Sequence, residues 1–178
     1  MPTASYVILL NGAYGVGKSS ALDHVGDVLA EGGRQFSLMD VDWFHRSWPP
    51  GAEDPENVVT EAENMTAVWG NYLRAGPRQL VVSGVVSTLC ERERYERAFG
   101  HPVRSVRLEA SPAVTEARLR RRYTEHQKSS LNWHLDRYEA LGRQLASADL
   151  DELIISTDDL VPRAVAERVL GHFGLLPG

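Results

Sequence analysis

The segment Gly12-Ala13-Tyr14-Gly15-Val16-Gly17-Lys18-Ser19 constrains this chain more than any other: a glycine, four residues, then Gly-Lys-Ser. Glycines at this spacing let the main chain curl so that successive N–H groups point inward at phosphate oxygens, and a following helix adds the positive end of its dipole. In a loop of this kind the residues from Gly12 through Ser20 cradle a nucleotide, Lys18 bridges the β- and γ-phosphates, and the Ser19 hydroxyl ligates magnesium. The chain has only two lysines, Lys18 and Lys128, so a chance match is on the order of one in a thousand.

The flanks supply the context the motif needs. Tyr6-Val7-Ile8-Leu9-Leu10 is a continuous apolar run, as in a strand covered on both faces. After the loop, Ala21, Leu22, Val25, Val28 and Leu29 recur at helical spacing until Gly32-Gly33 stops the pattern. A second strand, Gln35 to Val41, runs into Asp42, and Trp48-Pro49-Pro50-Gly51 then breaks regular structure. A helical pattern covers about Glu56 to Ala75, and strands are expected at Leu80 to Val86, Val103 to Leu108 and Glu152 to Ser156. Helices are expected at Glu91 to Phe99, over much of the stretch to Ala148, and from Pro162 to Phe173, the last with Asp158 or Asp159 near its N-cap. This alternation predicts an α/β three-layer sandwich, a five-stranded parallel sheet flanked by helices, as one domain over residues 1–178.

Composition narrows the function classes. A formal net charge of -5 gives no general electrostatic reason to bind nucleic acid or an anionic membrane. No apolar stretch approaches the ~20 residues that span a bilayer. Met1-Pro2-Thr3-Ala4-Ser5 carries no positive side chain ahead of an apolar run too short for a signal sequence. The single cysteine, Cys90, fits a reducing compartment and reads as a small half-buried apolar residue. The expectation is a cytoplasmic protein, monomeric or homodimeric.

Phosphoryl transfer needs an aligned hydroxyl, neutralised phosphate charge and exclusion of water. Asp42, at a strand end beside the loop, is the candidate to accept the hydroxyl proton, and Asp40, two residues earlier and so on the same side of the strand by its period of two, the candidate to hold a magnesium-bound water, with the two roles open to exchange. Arg118 and Arg122 share a helix face and are the candidates to close over the phosphates, with Arg121 in reserve. Trp43, Phe44, His45, Arg46 and Trp48 crowd after the acids and suggest a flat or partly apolar acceptor. Trp69 and Trp133 sit at helical spacing and read as core, and His24, His126 and His134 as surface or boundary residues. Neither lysine lies in an Asn-Lys-x-Asp segment, which sets a G-protein aside. The third strand runs into Ser83-Gly84 rather than an acid, unlike most motor ATPases.

With these residues in view, the chain resembles the shikimate-kinase-like and gluconate-kinase-like small-molecule kinases, a group that includes chloramphenicol phosphotransferase and the ATP-binding tunicamycin-resistance protein. The resemblance is carried by Gly12 to Ser19, Asp40-Val41-Asp42, the Arg118-Leu119-Arg120-Arg121-Arg122 run, and Ile154 to Leu160 as closing strand and adenine-side loop. Ser130-Leu131-Asn132-Trp133 with Asp136-Arg137 is similar to the resistance-protein branch. Ser83-Gly84-Val85-Val86 stands where shikimate kinases have a triple glycine and where the chloramphenicol enzyme has an acid, which argues against either substrate. The resemblance implies ATP and magnesium, an acceptor-binding helical region over about 43–76, a lid over about 118–134, and γ-phosphate transfer to a hydroxyl of a small molecule, an antibiotic among the candidates. A nucleoside or nucleotide kinase, and a non-catalytic ATP-binding protein, are the alternatives.

Overall fold

The computed structural model describes residues 6–178; Met1 to Ser5, on which the expected lack of an export signal partly rests, lie outside them. Among the described residues five strands form one sheet: β1 (Val7–Asn11), β2 (Phe36–Asp40), β3 (Gln79–Ser83), β4 (Val103–Glu109) and β5 (Leu153–Ser156). Their order is β2-β3-β1-β4-β5 and every pairing is parallel, with Ile8 opposite Val81 on one side and Arg104 on the other. All five residues of β1 and of β3 are buried, which is why both read as unbroken apolar runs rather than alternating ones. The edge strands β2 and β5 keep partly exposed positions.

Alternation along β1 divides the core into two layers. Ile8 and Leu10, with Val81, Val106 and Leu108, pack against helices α1 (Lys18–Glu31) and α7 (Pro162–His172). Val7 and Leu9, with Leu80, Val82 and Val103, pack against Met65 and Trp69 of α2 (Val58–Leu73) and Tyr95 and Phe99 of α3 (Leu89–Phe99). Each fully buried leucine or valine here contributes about 1.5–3 kcal/mol relative to exposure. Helices α4 (Pro112–Arg122), α5 (Lys128–Leu135) and α6 (Tyr138–Ala148) complete the chain between β4 and β5. Among the described residues no helix is long and apolar enough to cross a membrane.

Several boundaries differ from the expected ones, each for a tertiary reason. The apolar run to Val86 leaves the sheet after Ser83 because the Asn11 side chain takes over Val86, donating to its carbonyl at 2.9 Å and accepting from its N–H at 3.1 Å. Helix α2 starts at Val58, where the Asp54 carboxylate accepts from the N–H groups of Val59 and Thr60. Neither Asp158 nor Asp159 caps α7, which begins after Val161 without a side-chain cap; Asp158 instead accepts from the Ser111 N–H at 2.8 Å. Cys90 is exposed on the first turn of α3, not half-buried.

Candidate active site

In a parallel sheet all strands end at one edge, so the loops after β1, β2 and β3 meet there. Asn11, the last residue of β1, accepts from the Gly12 N–H at 3.0 Å and ties the loop's entry to Val86 and Asp151. Gly12 then turns at φ 147°, where an added Cβ would lie 2.6 Å from the Leu108 carbonyl oxygen. Gly15 and Gly17 adopt φ 76° and 98°, and Gly17 is the N-cap of α1. The loop therefore wraps to the start of a helix whose first N–H groups have no intrahelical partner.

Lys18 is buried at the loop's centre and donates to the carbonyls of Gly12 at 2.7 Å and Ala13 at 3.0 Å. Burial lowers its pKa from the ordinary 10.5 to about 8; the Asp42 and Asp40 charges oppose that, and Arg122 adds to it. Ser19 Oγ donates to Asp40 Oδ2 at 2.7 Å. The other Asp40 oxygen accepts from the Asp42 N–H at 3.3 Å, capping a short 3-10 turn over Val41–Trp43. Asp42 thus sits on that turn, beyond the strand, and the period-two argument that put both acids on one strand face does not reach it.

A cleft of about 660 Å³ opens over the loop. It is lined by the loop itself and Ser20, by Asp42 and Arg46, by Arg118, Arg121, Arg122 and His134, and by Thr157, Leu160, Pro162 and Val165. The arginines expected to act as a pair occupy different settings. Arg118 donates to the Val16 carbonyl at 3.3 Å, to Thr157 Oγ1 at 2.8 Å and to the Thr157 carbonyl at 2.8 Å, strapping α4 to the loop and to the end of β5. Arg122 is exposed at the end of the same helix and reaches Lys18 electrostatically.

Of the aromatic residues after the acids, the two tryptophans face outward while Phe44 packs against the core. Trp43 is 67% and Trp48 89% exposed; neither lines the cleft, and Trp43 lies under the Arg46 guanidinium at 4.5 Å. The two tryptophans thus stand outside the lining of this cleft. His45 Nδ1 instead meets Glu61 Oε2 at 2.8 Å. Glu61 is buried beside Tyr95, whose phenol is pushed well up by burial first and then by the Glu61 and Asp42 charges. Asn57 holds the carbonyls of His45 and Ser47, and Asn64 that of Phe44, so this segment is pinned to α2.

Trp133, expected in the core, lies at the rim of the cleft, and His134, expected at the surface or a boundary, lines it. Trp69 is core, its indole donating to the Phe99 carbonyl at 3.1 Å, but Trp133 is 44% exposed. Trp133 and the cleft-lining His134 pack edge-on against Tyr14, at 5.3 Å and 4.7 Å between ring centres. Helical spacing alone gave no sign that a loop tyrosine waits opposite.

The residues present fit a magnesium nucleotide. The loop leaves room only for main chain at Gly12, and a buried ammonium faces it. Among the described residues no group of three or more His, Cys, Asp or Glu side chains could hold a metal ion. A magnesium ion beside Ser19 and Asp40 would therefore take its other ligands from phosphate oxygens and water.

No family model matches the sequence, and no curated protein is a significant match. Solved structures do match along nearly the whole chain. An unliganded sugar kinase from Janibacter sp. HTCC2649 is 22% identical, with 99% of this chain and 97% of that one covered at a TM-score of 0.59. The tunicamycin resistance protein of Deinococcus radiodurans is 19% identical over 95% of each chain at 0.63. The APS kinase of Mycobacterium tuberculosis, in complex with AMPPNP and APS, is 16% identical over 98% of this chain and 99% of that one at 0.58. At these identities the likeness is one of fold alone, the five-stranded parallel sheet flanked by helices that this chain has in common with them.

Proposed function

We propose that this chain, which has the P-loop small-molecule kinase fold, transfers the γ-phosphate of ATP to a hydroxyl group of a small molecule. One observation carries the reading: a glycine-lined loop with a buried ammonium, the Ser19 hydroxyl and the Asp42 carboxylate all line one cleft, and Asp40 backs that hydroxyl through a hydrogen bond.

The loop's N–H groups and the start of α1 hold the phosphates, and Lys18 turns from the Gly12 and Ala13 carbonyls to the β- and γ-oxygens. Ser19 and Asp40 would hold magnesium. When bound, that ion offsets charge on the phosphate oxygens. Asp42 accepts the proton of the attacking hydroxyl. Arg122, with Arg121 beside it, neutralises charge on the transferring group, while Arg118 holds the nucleotide-side wall in place through Thr157. The segment over about 43–76 carries the acceptor side, and residues about 118–134 form the lid.

The test is ATP consumption against a panel of sugars, nucleosides and antibiotics, with Lys18→Ala as the blank. At least one acceptor should raise consumption above the blank, and Asp42→Asn should then lose turnover by about 10²-fold or more while keeping ATP affinity. A preference for nucleosides alone would make it a nucleoside kinase. ATP binding with no acceptor-stimulated consumption would leave a non-catalytic nucleotide-binding protein.

A further inference from the structure

The loop's one aromatic residue, Tyr14, is the foot of a stack of rings that climbs into the region after α4. Its ring lies 4.7 Å from that of His134 at 85°, and 5.3 Å from that of Trp133 at 60°. His134 in turn lies 5.3 Å from the ring of Tyr123, whose hydroxyl is 3.1 Å from His134 Nδ1. That same nitrogen is 2.7 Å from the Ser130 carbonyl, which can only accept, so Nδ1 carries a proton and the ring is oriented by α5's own backbone. Arg137 donates to the Trp133 carbonyl and covers the Trp133 ring at 4.6 Å, fixing the side of the stack. At its top the guanidinium of Arg122 lies 5.6 Å over the Tyr123 ring.

We infer that Tyr14, His134 and Tyr123 form a positioning relay that, with α5 docked on the loop, sets Arg122 against the phosphate site. The inference rests on the kinase reading of the cleft. An arginine at an exposed helix end samples many rotamers, and a charge held loosely near a reacting phosphate contributes little. The stack removes part of that freedom in advance. Its foot is in the loop that grips the nucleotide, so displacement of the loop would be felt at Arg122. Arg118 is held elsewhere by three hydrogen bonds, to the Val16 carbonyl and to the Thr157 hydroxyl and carbonyl. Trp133 is the built-in reporter, because it touches Tyr14 and is partly exposed.

The test uses the full chain with magnesium and AMPPNP for binding, and ATP with the best acceptor of the panel for turnover. Tyr14→Ala and His134→Ala should each lower kcat by about tenfold or more with AMPPNP affinity changed less than about threefold, and Tyr14→Phe should recover most of the Tyr14→Ala loss. In the Arg122→Ala background, Tyr14→Ala should cost little further, since the relay acts only through that arginine. AMPPNP should change Trp133 emission, read against Trp133→Phe, in the parent chain but not in Tyr14→Ala. Fully additive kcat losses, or AMPPNP affinity falling in step with kcat, would overturn the relay. If no acceptor beats the Lys18→Ala blank, the kinase reading fails, and the emission arm still decides: an AMPPNP response that survives Tyr14→Ala overturns the relay on its own.

Discussion

Ser19 Oγ and Asp40 Oδ2 are 2.7 Å apart, a hydrogen bond that joins the first turn of α1 to the end of β2. With the hydroxyl proton given to Asp40, the oxygen's lone pairs are free for a cation. Asp40→Ala should therefore raise the magnesium concentration for half-maximal ATP consumption by about 10–100-fold with kcat recovered at saturation. A magnesium titration that superimposes on the parent would remove Asp40 from the metal site.

Lys18 makes the protein pH-dependent in a window set by its displaced pKa. Below about 8 the ammonium is charged in the folded and unfolded chain alike and the full burial cost is present. Between about 8 and 10.5 the folded chain sheds a proton that the unfolded chain keeps, so stability rises with pH across that range. Thermal midpoints should show this rise in the parent and lack it in Lys18→Met. A bound triphosphate restores the charged form, so nucleotide binding near pH 8.5 should take up protons, read as a buffer-dependent heat in calorimetry.

Gly12 and Gly33 separate steric from conformational cost. Both have positive φ, but a Cβ at Gly12 would meet the Leu108 carbonyl oxygen at 2.6 Å and Val16 Cγ2 at 2.9 Å, whereas one at Gly33 meets nothing within 4 Å. Gly33→Ala should cost about 1 kcal/mol in denaturant unfolding. Gly12→Ala should cost at least about 2 kcal/mol and abolish AMPPNP binding. Equal costs at the two sites would contradict the tight packing under the loop.

Arg118 and Arg122, one helical turn apart, should fail in different ways. Arg118→Ala removes bonds to Val16 and Thr157 and should lower stability by about 2 kcal/mol. Arg122→Ala should move stability by less than about 0.5 kcal/mol while lowering kcat. Urea midpoints for the two variants check this directly, and matching midpoints would refute the division of labour.

The order of elements and the phosphate-binding geometry were legible in the sequence because both rest on residues close together in the chain. Apolar runs such as Val7 to Leu10 announce a strand covered on both faces, and the spacing of Gly12, Gly17 and Lys18 announces the phosphate-binding loop. Strand ends were less legible: Val86 is drawn out of its apolar run by Asn11, 75 positions away. The alternation that placed Asp40 and Asp42 together stopped being valid where the chain turned into a 3-10 turn.

By itself, then, the sequence determined the α/β alternation and the loop, through local sterics and hydrophobic period. Only the tertiary structure decided which of two identical arginines braces Thr157, that Trp43 and Trp48 face solvent, and that Trp133 and His134 rest on Tyr14. Spacing on a helix fixes which side chains share a face. What that face meets is set by how distant elements pack, and that information lies in no single segment of the chain.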